Sequence, residues 1–140
     1  GLQLPPPPQP AGAYTRAIKS MGLIFVSGQL PLAEGQIQYA GTLGVDLDVD
    51  AGYAAARLCA LNALSVLKAE AGTLETVSIV RLGGYVASAS DFYDQAKVIN
   101  GASDLMAEVL GDKGIHARLA VGVTSLPLGA AVELEVIAAS

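Results

Sequence analysis

Leu23-Ile24-Phe25-Val26 is apolar at every position. A strand covered on one face alternates apolar and polar residues, because successive side chains point to opposite faces. A continuous run of this length instead signals burial on both faces. A chain of 140 residues builds one core, so a second buried face needs a partner beyond that core. The chain is 52% hydrophobic and 15% charged, whereas ordinary soluble domains are about 25% charged. A bilayer is one candidate partner, but a spanning helix needs about 20 consecutive, mostly apolar residues. Met21–Val26 is interrupted by Ser27, Gly28 and Gln29, and Ala54–Leu67 carries Arg57, Asn62 and Ser65. The remaining reading is an oligomer that buries a second apolar surface, with no membrane partner.

The net charge of −5, with only eight scattered Lys and Arg, argues against a nucleic-acid platform, whose footprint is a basic patch. Cys59 is the only cysteine. It sits in an apolar helical run and reads as a small hydrophobe. No disulfide can form within the chain, which fits a reducing compartment, and the expected location is cytoplasmic. The start shows no basic segment followed by an apolar one, so no secretory signal is expected. Gly1 is expected to be a processing or cloning remnant.

Residues 1–10 end in Leu4–Pro10, LPPPPQP, and read as a stiff, extended leader. Residues 11–140 read as a single domain. Ala13–Ile18 and Leu23–Ser27 are predicted strands joined by a turn over Lys19–Gly22. Pro31–Asp48 is glycine-rich and irregular, with one short strand near Gln36–Tyr39; its glycines form no phosphate loop. In Asp50–Ala71, Ala54, Leu58, Leu61, Leu64 and Leu67 recur at helical spacing, with Asp50 as N-cap and Gly72 as C-terminal stop. Val77–Val86 is a strand in which Gly83 and Gly84 suggest a bulge or a close approach. Asp91–Leu110 is helical, with Asp91 as cap and a break near Asn100–Gly101. Ala117–Val123 and Ala131–Ala138 complete an α+β order, β-β-α-β-α-β-β. The Thr124–Ala130 link is too long for a tight hairpin between these last strands.

Alternation makes those strands informative about chemistry. One face of Arg118–Val123 carries Arg118, Ala120 and Gly122. The small side chains leave space beside a guanidinium, whose planar fork suits a carboxylate. In Val132–Val136 one face carries Glu133 and Glu135. Either can orient a water or move a proton if partly buried; the plainer reading is a solvated face. His116, the only histidine, is a candidate general base in a loop beside Gly114. One His and one Cys argue against a zinc site within one subunit. Asp46, Asp48 and Asp50 lack the glycine and distal glutamate of a calcium loop and read as a solvated loop and a helix cap.

Arg118-Leu119-Ala120-Val121-Gly122-Val123-Thr124-Ser125-Leu126-Pro127, followed by Val132-Glu133-Leu134-Glu135, resembles the C-terminal signature of the YjgF/RidA family, the reactive intermediate deaminases. Gly12-Ala13-Tyr14 and Phe25-Val26-Ser27-Gly28-Gln29-Leu30-Pro31 resemble its N-terminal signature. Asp91-Phe92 and Val98-Ile99-Asn100 match its central segment less closely. The resemblance implies a chorismate-mutase-like α+β fold, a mixed sheet with two helices on one face. It also implies a homotrimer whose sheets form a central barrel, with clefts between neighbours. The implied activity is hydrolysis of reactive 2-imino and enamine acids to 2-oxo acids and ammonia, without a cofactor. Carried over by motif, Arg118 clamps the substrate carboxylate and Glu133 positions the attacking water and relays its proton. Ser27, Gly28, Tyr14, Asn100 and Ala120 line the pocket.

Departures from the family pattern imply a reshaped pocket. Ala120 stands where the archetype has cysteine, and Gly122 where it has an acidic residue. Extra residues lie around Tyr93–Lys97, and Leu128-Gly129-Ala130-Ala131 replaces a charged turn. A non-catalytic binder of small carboxylates is the alternative function. An endoribonuclease, a label many family members carry, is opposed by the acidic balance, because phosphate neutralisation supplies most RNA affinity.

Overall fold

A computed structural model describes residues 2–140; the expectation for Gly1 lies outside them. The first two strands, β1 (Ala17–Ser20) and β2 (Leu23–Gln29), form an antiparallel hairpin. Met21 and Gly22 connect them, with φ of 54° and 80°, the backbone that a two-residue hairpin turn requires. β1 therefore starts later than the Ala13–Ile18 reading. The Tyr14 amide instead bonds back to the Gly12 carbonyl, and pairing with β2 begins at Arg16. A small second hairpin, β3 (Leu32–Ala33) and β4 (Gln36–Ile37), stands apart from the main sheet.

Helix α1 (Val49–Ala71) is capped by Asp48, whose carboxylate accepts from the Ala51 amide at 2.9 Å. Asp50, the expected cap, lies inside the first turn, where its charge faces the free amides. Gly72 ends the helix at φ 82°, as its sequence position predicts. Then come β5 (Ser78–Ala87), α2 (Gln95–Leu110), β6 (Ala117–Val123) and β7 (Val132–Ala139). Asp91 caps nothing: α2 starts at Gln95, after Asp94, and no side-chain cap bond forms. Nor does α2 break at Asn100–Gly101. Gly101 is buried, and a β-carbon there would run into the Tyr53 carbonyl of α1. The glycine marks a close helix–helix approach.

The main sheet runs β1-β2-β7-β5-β6, with β5 and β6 parallel and the other pairs antiparallel. β5 thus separates β6 from β7, as the long link between them suggested. The two helices pack together on one face of this sheet, α1 over β2 and β7, α2 over β5 and β6. The sheet's register shift in β5 falls between Ile79 and Arg81 rather than at the glycine pair. Gly83 and Gly84 instead make room for side chains, Glu135 on one face and Ile99 of α2 on the other.

The core lies between sheet and helices. Val132, Leu134, Val136 and Ala138 point into it from β7, and Cys59 is fully buried within it. Among the described residues no helix covers the opposite face. Ile18, Phe25, Leu119 and Val121 are exposed there. Leu4, in the leader, packs partly buried against the core. Among the described residues no helix is long and apolar enough to cross a membrane.

Candidate functional site

Strand register sorts the candidate residues, because directly paired residues share a sheet face. Arg118 pairs with Leu82 and Ala120 with Gly84, both on the helix face. Glu133 pairs with Tyr85, three residues beyond Leu82 and so on the opposite face. A single chain therefore holds the guanidinium and the carboxylate on opposite sides of its sheet.

The helix-face group centres on Arg118. Its Nη1 donates to Ser103 Oγ at 3.0 Å and its Nη2 to the Ala96 carbonyl at 3.2 Å. Ala96, Asn100 and Ser103 recur at one-turn spacing on α2, so Asn100 belongs to this group, and its side chain is exposed. Further along the same face of β6, Gly122 lines a cleft of about 610 Å³ with Ser88, Phe92, Tyr93, Gln95 and Thr124. No charged side chain lines it. A β-carbon at Gly122 would stand 2.6 Å from Ser88 Oγ and 2.9 Å from Gln95 Nε2, so the glycine keeps the cleft floor open.

The outer-face group centres on Glu133, which is half-buried. A β-carbon at Gly28 would collide with its Oε2, so only glycine lets the carboxylate lie against β2. Burial, and secondly the charge of Glu135, raise the Glu133 pKa above its ordinary 4.5. Both effects disfavour the ionised form. Glu135 is held differently. Tyr85 Oη donates to its Oε1 at 2.8 Å, and Arg81 Nη1 lies 3.3 Å from the same atom. Glu133 accepts no such bond among the described residues. The solvated-face reading of the two glutamates thus fits neither: one is tied in a network, the other is half-buried and unpartnered. Ser27 Oγ donates to the Thr15 carbonyl at 2.7 Å. Tyr14, Ser27 and Gly28 line one narrow groove with Pro8 and Pro10.

His116 is not free for general-base work. Its Nδ1 lies 2.6 Å from the Gly114 carbonyl and its Nε2 lies 2.8 Å from Ser103 Oγ. Ser103, the hub of these contacts, escaped the sequence reading; its helical position, fifteen residues before Arg118, carries no strand-alternation signal. Cys59 has its thiol pushed up by burial and reaches only the Val132 carbonyl. Among the described residues no three His, Cys, Asp or Glu side chains cluster to hold a metal.

Comparison with known proteins places this geometry in a family. A family model described as "YjgF/chorismate mutase-like, putative endoribonuclease" matches residues 1–139. The chain is 44% identical to Protein TCP17 of Trypanosoma cruzi over 137 residues, covering 96% of this chain and 86% of that protein. It is 35% identical to Protein mmf1, mitochondrial, of Schizosaccharomyces pombe, covering 91% of this chain and 68% of that one. The crystal structure of Atu1372 from Agrobacterium tumefaciens, a protein of unknown function, superposes with a TM-score of 0.88 at 46% identity, covering 90% of this chain and 82% of that one. The chain belongs to the YjgF/RidA family.

Proposed function

We propose that the protein hydrolyses reactive 2-imino and enamine acids to 2-oxo acids and ammonia, in a site shared between protomers of a homotrimer. The observation that carries this reading is Glu133: half-buried, without a hydrogen-bond donor, its pKa raised, beside a glutamate already held by Arg81 and Tyr85. A carboxyl whose hold on a proton is raised above the ordinary can take a proton from water and return it. Water attacks the C2 carbon of the imine and gives a proton to Glu133. That proton passes to nitrogen and gives the carbinolamine; the carbinolamine hydroxyl then loses its proton, again through Glu133, to nitrogen as the C–N bond breaks, leaving the 2-oxo carbonyl and free ammonia. Positioned acid–base help of this kind is worth about 10²- to 10⁴-fold. Arg118 holds the substrate carboxylate through a charge-assisted fork, with Asn100 and Ala120 beside it and Tyr14, Ser27 and Gly28 around Glu133. No cofactor enters these steps.

Since Arg118 and Glu133 lie on opposite sheet faces, a single substrate meets both only where two protomers adjoin. The apolar outer face supplies a reason for protomers to join. We place the activity in the cytoplasm, consistent with a lone reduced thiol; mitochondria are the alternative that the fission-yeast relative's name raises.

The test generates 2-imino acids with an amino-acid oxidase and traps them as semicarbazones. The protein should lower the trapped product, and Arg118→Ala and Glu133→Gln should each abolish the effect. Tight 2-oxo acid binding without any rate effect would identify a binder instead of an enzyme.

A further inference from the structure

The hydrogen bonds at Arg118 continue beyond it, through Ser103 and His116 to the carbonyl of Gly114. A carbonyl oxygen only accepts, so His116 Nδ1 carries the proton of that 2.6 Å bond. In the neutral ring Nε2 is then an acceptor, and the Ser103 hydroxyl donates to it. The hydroxyl oxygen keeps lone pairs, and these receive Arg118 Nη1. The direction of every bond is thus fixed from the far end. That end is rigid: Gly114 is buried, and a β-carbon there would run into the Met106 carbonyl at the end of α2.

We propose that Ser103 and His116 are positioning residues that hold the Arg118 guanidinium in its carboxylate-binding orientation. The inference rests on the reading of Arg118 as the carboxylate clamp. A guanidinium has five N–H groups. Ser103 and the Ala96 carbonyl take one each, and the rest suffice for a bidentate carboxylate. A long side chain held in place before its ligand arrives loses less rotamer freedom on binding. Alternation along β6 identifies the arginine, but what aims it lies on α2 and in the loop before β6.

The test measures pyruvate affinity by calorimetry, together with kcat and KM in the semicarbazone assay. Ser103→Ala and His116→Ala should each weaken pyruvate binding and raise KM about tenfold, with kcat changed far less, the scale of losing one hydrogen bond to a charged group. Ser103→Thr keeps the hydroxyl, and His116→Gln places an acceptor near the Nε2 position; both should recover most of the affinity. The ¹⁵N spectrum of the wild-type imidazole should show the proton on Nδ1. A proton on Nε2 overturns the relay even if every variant misfolds. Wild-type affinity in Ser103→Ala, with affinity lost in Arg118→Ala, overturns the relay and leaves the clamp standing. Wild-type affinity in Arg118→Ala defeats the clamp and the relay with it.

Discussion

Glu133 and Glu135 stand two residues apart on one face of β7 and have different neighbours. Tyr85 and Arg81 hold Glu135, while burial and the charge of Glu135 keep the Glu133 pKa high. As the proposed base, Glu133 would work only when ionised, so the acid limb of the pH–rate profile should lie above the ordinary carboxyl value of 4.5. Glu135→Gln removes the neighbouring charge and should move that limb to lower pH, while burial keeps it above the ordinary value. The same shift has a sign for stability. The folded state holds this proton more tightly than the unfolded chain, so stability falls as pH rises from the unfolded carboxyl range through the raised folded value. Glu133→Gln should therefore raise the thermal midpoint relative to wild type at neutral pH and not at acid pH; a constant difference across that range would assign the effect elsewhere. Gly28→Ala pushes a methyl into the Glu133 carboxylate, so kcat should fall while the urea midpoint changes little. Alternation along the strand is enough to put both glutamates on one face. Their difference is illegible in the sequence, because the partners that separate them lie 50 and 54 residues away.

In helix α2, the expected break at Gly101 rests on propensity, which places glycine about 1 kcal/mol below alanine in a helix. Packing decides instead, since the Tyr53 carbonyl and the Arg57 amide of α1 stand where a β-carbon would go. Backbone atoms in a packed helix cannot turn aside as a side chain can. Overpacking costs about 1–3 kcal/mol or more, against a propensity gain of about 1 kcal/mol. Gly101→Ala should therefore be destabilising, seen as a lower urea midpoint, although alanine is the better helix former. The caps illustrate a smaller limit. Asp48 and Asp50 are equally good acceptors by residue type, and only the extended backbone at Asp48, φ −95° and ψ 177°, selects it.

Taken whole, the protomer has two sheet faces with different fates. The helices cover one; Ile18, Phe25, Leu119 and Val121 leave the other apolar and open. The continuous apolar run Leu23–Val26 is the sequence's sign of that second face: within the protomer Ile24 and Val26 are buried, while Phe25 remains 42% exposed. What covers the face is not legible in the run, because a pattern of burial does not say what does the burying. Under the proposed trimer, Phe25→Lys should yield monomers by sedimentation and abolish activity together. Arg118→Ala and Glu133→Gln proteins, each inactive, should recover activity when unfolded and refolded as a mixture. With equal parts, about one quarter of the clefts would pair an intact arginine with an intact glutamate from the neighbouring subunit in a closed ring. A mixture that stays inactive would place both groups in one chain's own site.

Under the proposed shared site, Arg118 and Glu133, kept apart by the thickness of one sheet, would also tie output to abundance. Diluted below the threshold at which the chains stay together, each copy would carry only half of the machinery, and the rate per molecule would drop. Catalytic yield in sparse preparations should then climb faster than protein is added, and level to simple proportionality once assembly is complete.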